Sequence, residues 1–175
     1  MTSATEPVAP GLLALNTADA GDVRARLLAL TASPLWADDV VAGRPYADVE
    51  TVLAHSDTVL AGLGEDQLDA ALAGHPRIGE GSAHPDEASA ARSAREQAGM
   101  NSAGAEQKSA LAEANAAYEQ RFGRIYLVAA AGLSASQLLA KVQARLGNEP
   151  GAELEVVRAE LAEITRSRLQ DWLAS

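Results

Sequence analysis

The chain has 175 residues, of which 47% are hydrophobic and 3% aromatic, and its formal net charge is -10 at pH 7. This length predicts one domain whose core is built from aliphatic and alanine side chains. The acidic charge disfavours nucleic acid or an anionic membrane surface as a partner. Because the chain has no cysteine, disulfides, thiolate catalysis and thiolate metal sites are excluded.

Targeting signals are not evident in the sequence. No apolar run reaches the roughly 20 residues that a membrane span requires, and Met1 to Pro10 has neither a basic nor an apolar signal region. We therefore expect a cytoplasmic protein without a membrane partner. Residues 1–10 are predicted to form a flexible N-terminal tail, and residues 11–175 a single helical domain.

The first elements follow helical spacing of apolar residues. Val23, Leu27 and Leu30 predict a helix that starts near Asn16-Thr17 and ends before Ser33-Pro34. The four residues 34–37 are predicted to form a short turn with a buried tryptophan. Asp48 is expected to cap the next helix, which is followed by a shorter helix that stops at Gly74.

Further helices are predicted over about 86–97, 103–121 and 134–146, and in the chain after the turn at 147–151. The last helix has Leu154, Val157, Leu161 and Ile164 at spacings of three and four, which indicates an apolar seam. Residues 124–130 have a strand-like composition but no partner of the same kind, so an extended buried segment is expected. The fold class is therefore all-α, a single-domain bundle of about seven to nine helices.

His75 lies between Gly74 and Pro76, where a helix gives way to a long irregular stretch. Proline biases the preceding residue away from the α region, so the imidazole projects from a constrained backbone. Imidazole readily exchanges a proton near neutral pH. A histidine with no catalytic role is the common alternative. The other histidines, at positions 55 and 84, have no clustered carboxylates, so no metal site is predicted.

Ser93, Glu96 and Gln97 occupy positions i, i+3 and i+4 of a predicted helix and share one face. A hydroxyl, a carboxylate and an amide together offer donors and acceptors to an amide-like or urea-like ligand. A solvated helix face is the alternative interpretation. Residues 125–130 could likewise bring backbone N–H groups to a ligand or simply form part of the core.

Two of these segments resemble the signatures of a known family. His75-Pro76-Arg77-Ile78-Gly79-Glu80 and the stretch from Ser93 to Gly99 occur in the order found in 2-oxo-4-hydroxy-4-carboxy-5-ureidoimidazoline (OHCU) decarboxylases, enzymes of urate breakdown. Shorter similarities are Ser33-Pro34-Leu35-Trp36, Arg44-Pro45-Tyr46, and Asn115 to Gly123. The resemblance extends from Leu15 to the last helix.

The resemblance implies an all-helical homodimer that releases carbon dioxide to give (S)-allantoin without a metal or organic cofactor. It implies that His75 is the catalytic acid and Glu96 a second catalytic residue. The residues that it implies for substrate binding are Pro76, Ser93, Ala94, Arg95, Glu96, Gln97, Tyr126, Leu127, Val128, Ala129 and Ala130.

The chain departs from the family's pattern in one charged position. The family usually carries a basic residue soon after the extended segment, where this chain has Ala131-Gly132-Leu133-Ser134. Because the substrate is anionic, Arg44, Arg77, Arg121 or Arg124 is expected to take that role. Two other interpretations remain open at this point: a diverged or weakly active relative that acts on another ureido compound, and a non-enzymatic helical interaction module such as a histidine phosphotransfer domain.

Overall fold

The computed structural model describes residues 9–78 and 103–175, together with the single positions 94 and 98. These residues form eight α-helices and no strand, which confirms the all-α class. The helices are α1 (Pro10–Thr17), α2 (Ala20–Leu30), α3 (Pro34–Ala42), α4 (Val49–Ala61), α5 (Glu65–Leu72), α6 (Ala105–Phe122), α7 (Ala135–Arg145) and α8 (Pro150–Ala174).

The N-terminal boundary differs from the prediction. Helix α1 starts at Pro10, a residue suited to a first turn because it needs no amide partner there, and α2 is capped by Asp19 rather than by Asn16 or Thr17. A side chain at Gly11 would lie only 2.2 Å from the backbone oxygen of Trp172 on α8, so glycine permits this close approach. Contact with a distant helix therefore orders a segment that lacks a long apolar pattern of its own.

Capping residues fix the starts of two other helices, α4 and α7. The Asp48 carboxylate accepts the Thr51 amide at 2.8 Å, and the Ser134 hydroxyl accepts the Gln137 amide at 3.3 Å, which confirms both predicted helix starts. Residues 34–37, predicted as a turn, are instead the first turn of α3. Its Trp36 is fully buried, as expected.

The helices bury two hydrophobic clusters. The larger cluster comes from α1 to α5 and α8, with α8 lying along α4 and α1. The smaller cluster comes chiefly from α6 and α7, which pack against each other. None of the helices in the described part of the chain is both long enough and apolar enough to cross a bilayer.

An extended segment, residues 125–130, separates these two clusters. Gly123, in the left-handed region at φ 71°, ends α6 and begins this change of direction. Leu127 packs into the larger cluster, whereas Tyr126 and Val128 pack into the smaller one. This alternation is the consequence of extended backbone, in which successive side chains point to opposite sides.

A buried ionic group ties the end of α7 to the start of α8. The Arg145 guanidinium lies 2.6 Å from the Glu153 carboxylate, and both residues are buried. Glu153 also accepts hydrogen bonds from the Tyr118 hydroxyl at 2.5 Å and from the Asn148 amide at 2.7 Å. Burial, together with the neighbouring Glu153, raises the pKa of the Tyr118 hydroxyl, so Tyr118 remains a neutral donor.

We expect Glu153→Ala to lower the free energy of unfolding by about 3–5 kcal/mol, because it leaves the Arg145 guanidinium buried without its main carboxylate. Urea unfolding followed by circular dichroism measures this loss. Glu155→Ala is the control, since Glu155 makes an exposed ion pair with Arg158 on the same helix, and its cost should not exceed about 1 kcal/mol. Equal costs for the two substitutions would contradict this account.

Candidate active site

A cavity of about 110 Å³ brings together three separate parts of the chain. They are the segment after α5, the extended segment with the turn that follows it, and one face of α8. The lining residues that the structure describes are His75, Pro76, Ile78, Leu127, Val128, Ala129, Ala130, Ala131, Glu163, Ile164, Ser167 and Arg168.

His75 is held at the end of α5 by two hydrogen bonds. Its backbone N–H donates to Leu72 O at 2.9 Å, and its Nδ1 lies 3.1 Å from Ala71 O. A carbonyl oxygen can only accept, so Nδ1 carries the proton in this contact. A neutral His75 therefore has its lone pair on Nε2.

Arg168 lies beside that lone pair. Its Nη1 is 3.4 Å from His75 Nε2 and donates to Leu30 O at 2.7 Å. The side chain is largely buried, with the residue 9% exposed. A guanidinium presents several N–H donors in one plane and suits the recognition of a carboxylate. The cavity thus combines an imidazole that can exchange a proton with a cation that can bind an anion.

Arg168 was not predicted from the sequence. Its position carries a signal, however, because it continues the spacing of Leu161 and Ile164 along the apolar seam of α8. A charged residue in a row of core-facing positions requires a buried partner or a ligand. Glu163 and Ser167, exposed residues on the same helix that also line the cavity, were not predicted either.

The four arginines that were expected to supply the cation lie elsewhere. Arg44 and Arg121 donate to backbone carbonyls, whereas Arg77 and Arg124 make ion pairs with carboxylates on α6 and α5. None of the four is among the described residues that line the cavity. The cation beside His75 is instead Arg168, which comes from the last helix.

Only some of the predicted substrate-binding residues in the extended segment line the cavity. Residues 127–130 line the cavity, but Tyr126 does not belong to the described lining and packs edge-on against Tyr118, with a ring-centroid distance of 5.1 Å. Its hydroxyl is buried without a hydrogen-bond partner among the described residues. Burial raises the pKa of Tyr126 to about 12.

Most of the second predicted segment lies outside the described residues. This holds for Ser93, Arg95, Glu96 and Gln97, whereas Ala94 is helical and exposed. Their proximity to His75 therefore stays a prediction. Among the described residues, no three histidine or acidic side chains are grouped as a metal site would require. His55 is bonded instead to Asp39 and Tyr46, at 2.9 and 2.6 Å.

Comparison with known sequences identifies the family. The sequence model described as OHCU decarboxylase matches residues 16–170. This chain belongs to the OHCU decarboxylase family. A human protein provisionally named 2-oxo-4-hydroxy-4-carboxy-5-ureidoimidazoline decarboxylase is 32% identical over 142 residues, which are 80% of this chain and 82% of the human one. The decarboxylase of the same name from Amia calva is 30% identical over 148 residues, 79% of each chain.

Solved structures share the fold of this OHCU decarboxylase family member. An OHCU decarboxylase crystallised in the presence of (S)-allantoin superposes with a TM-score of 0.74 at 20% identity, covering 86% of this chain and 98% of the other. An (S)-allantoin synthase superposes with a TM-score of 0.71 at 16% identity, covering 95% of this chain and 54% of the other. These likenesses support the described helical architecture.

We expect nuclear magnetic resonance of ¹⁵N-labelled protein to show neutral His75 protonated at Nδ1, since Nδ1 donates to Ala71 O. His55 is an internal comparison, because its Nε2 donates to the Asp39 carboxylate and therefore carries a proton, whatever the state of its Nδ1. Two-bond nitrogen–proton correlations distinguish the two tautomers. A neutral His75 protonated at Nε2 would contradict the described geometry.

Proposed function

We propose that this protein decarboxylates 2-oxo-4-hydroxy-4-carboxy-5-ureidoimidazoline to (S)-allantoin in urate breakdown, without a metal or organic cofactor. The observation that carries the proposal is the pairing of His75 with Arg168 in one cavity, at 3.4 Å, in a chain of the OHCU decarboxylase family. Two relatives named for this activity support the choice of substrate.

Arg168 is proposed to bind the substrate carboxylate. The largely buried guanidinium donates to Leu30 O through Nη1, and the planar arrangement of its N–H donors suits the recognition of a carboxylate. An anion held away from water interacts more strongly with such a cation. Binding through the carboxylate fixes the orientation of the carbon–carbon bond that breaks.

The substrate itself can accept the electrons that decarboxylation releases. The bond between C4 and the carboxylate breaks, and carbon dioxide departs without the electron pair. That pair forms a C4=C5 double bond, while the electrons of the ring imine move to nitrogen, which takes up a proton. The product of this step is an enol that carries a hydroxyl on C4 and the ureido group on C5.

His75 is proposed to complete the reaction through Nε2. Since Nδ1 is engaged by Ala71 O, Nε2 is the atom that can take up and release a proton on the Arg168 side of the ring. The C4 hydroxyl loses its proton as the carbonyl forms, and C5 gains one proton from the imidazole. Delivery to one face of C5 sets the configuration of allantoin, and such general acid–base catalysis typically contributes about 10²–10⁴ in rate.

The remaining predicted site residues have proposed roles that depend on the family resemblance. Glu96 acts as the second catalytic residue, and the hydrogen-bonding groups of Ser93, Glu96 and Gln97 hold the ureido group. Pro76 and residues 127–130 line the cavity and shape the substrate's surroundings. Ala94, Arg95 and Tyr126 are kept as substrate-binding residues on the resemblance alone.

The family resemblance also supports proposals about assembly and location. We propose a cytoplasmic homodimer that acts on a small molecule and binds neither nucleic acid nor membrane. Its single helical domain, predicted over residues 11–175, begins one residue earlier, at Pro10 of α1, and the predicted tail precedes that residue. The alternatives named above have less support: His75 follows α5 instead of lying inside a long helix, and Arg168 provides the cation whose absence suggested a diverged relative.

The proposal is tested by coupling the protein to urate oxidase and hydroxyisourate hydrolase and following the circular dichroism of the allantoin formed. We expect the wild-type protein to give (S)-allantoin well above the spontaneous rate. His75→Asn should lower the rate at least about 100-fold because it removes the proton carrier. Racemic product at the spontaneous rate from the wild-type protein would refute the function.

His55→Asn is the matched control for this substitution. His55 is bonded to Asp39 and Tyr46 and is not among the described residues that line the cavity. We expect it to retain the wild-type rate, provided that circular dichroism shows a folded protein. Near-normal turnover by His75→Asn would refute the role assigned to His75.

A further inference from the structure

We infer that Glu160 is a positioning residue for the reaction: together with Arg145, it holds the backbone of residues 127–129 in the cavity wall. The Ala129 N–H donates to Glu160 Oε2 at 2.8 Å, and Arg145 Nη1 donates to Leu127 O at 2.7 Å. This inference rests on the proposed function, because the reaction that depends on the wall is the proposed decarboxylation.

The segment needs these side chains because no strand lies beside it among the residues that the structure describes. Leu127, Val128 and Ala130 are each buried, and buried backbone N–H and C=O groups must find hydrogen-bond partners. In a sheet, those partners would be backbone groups of an adjacent strand. Here a carboxylate and a guanidinium replace them, and hydrogen bonds to charged groups are stronger than those between neutral groups.

Glu160 is not required to neutralise Arg145. The closer carboxylate is that of Glu153, at 2.6 Å, whereas Glu160 lies 3.6 Å from Arg145 and 3.7 Å from Lys141. The shortest contact of Glu160 is the one with Ala129 N–H. Its side chain is only 12% exposed, so the carboxylate is held in the contact with the wall and is not a freely solvated surface group.

One helix thereby positions two sides of the cavity. Glu160 holds the wall formed by residues 127–129, and Arg168, on the same helix, provides the cation. Eight residues separate them, which is about 12 Å along a helix axis. If the wall moves, its distance from Arg168 and His75 changes, and a displacement of about 1 Å can cost on the order of 100-fold in rate.

Three substitutions of Glu160 separate geometry from charge. Glutamine keeps an oxygen at the same reach but loses the charge, aspartate keeps the charge but is one methylene shorter, and alanine removes the acceptor. We expect Glu160→Gln to retain kcat/KM within about threefold of wild type. Glu160→Asp should lose at least about tenfold and Glu160→Ala about 30-fold or more, chiefly in kcat, because the wall is misplaced.

Lys141→Ala is the matched control, since it removes the ion pair with Glu160 without touching Ala129. We expect kcat/KM within about twofold of wild type. The coupled dichroism assay gives kcat and KM, and thermal unfolding confirms that each variant is folded at the assay temperature. Hydrogen exchange of the Ala129 amide gives a readout independent of activity: it should accelerate at least about tenfold in Glu160→Asp and Glu160→Ala but not in Glu160→Gln.

Several outcomes would overturn the inference. Full activity and unchanged Ala129 exchange in Glu160→Asp would do so, and so would a loss in Glu160→Gln as large as that in Glu160→Asp. If Glu160→Ala fails to fold, the comparison of Glu160→Asp with Glu160→Gln still tests the inference. A wild-type protein without decarboxylase activity would instead refute the proposed function, and with it the role in catalysis, while the exchange measurement would still report on the contact itself.

Discussion

The described fold depends on the hydrogen bonds that allow one extended segment to be buried between helices. Residues 125–130 pass between two hydrophobic clusters and send alternate side chains into each. Helices satisfy their own backbone groups, but this segment cannot, and no neighbouring strand is present among the described residues. Arg145 and Glu160 therefore supply hydrogen bonds from α7 and α8. Their burial is possible because opposite charges lie close together.

The extended conformation of residues 125–130 also leaves space for a ligand. A helix at this position would bond its own peptide groups, and its wider body would fill more of the space between α8 and the segment that carries His75. The extended chain leaves room for the cavity instead. Helix α8 then forms the opposite side, with Arg168 at a core-facing position beside the imidazole. Helix α8 therefore carries both Glu160, which bonds the extended segment, and Arg168, which lies beside His75.

Much of the fold could be predicted from local signals. Apolar spacing and capping residues such as Asp48 and Ser134 mark the helix starts, and Gly123 marks an end. The extended nature of residues 124–130 follows from strand-like composition without a strand partner. Helix α1 was missed because it is short and ordered by contact of Gly11 with α8, a contact between residues more than 150 positions apart in the chain.

The candidate site was only partly predictable, for a similar reason. His75 is marked by its own neighbours, Gly74 and Pro76, so sequence alone points to it. Arg168 lies more than 90 residues further along the chain, and only the packing of α8 brings it to His75. The expectation of a cation near residues 131–134 rests on proximity in sequence to the extended segment. The signal that could have identified Arg168 is its position, since it is a charged residue within the apolar seam of α8.

Arg168 is proposed to bind the carboxylate that leaves as carbon dioxide. The most direct test compares the effect of Arg168→Gln on two ligands: the substrate, which has that carboxylate, and (S)-allantoin, which has lost it. Since hydrogen bonds to charged groups contribute about 1.5–3 kcal/mol, we expect kcat/KM to fall roughly 10- to 150-fold, while the affinity for allantoin stays within about threefold. Equal losses for both ligands, or an unchanged kcat/KM, would contradict the account.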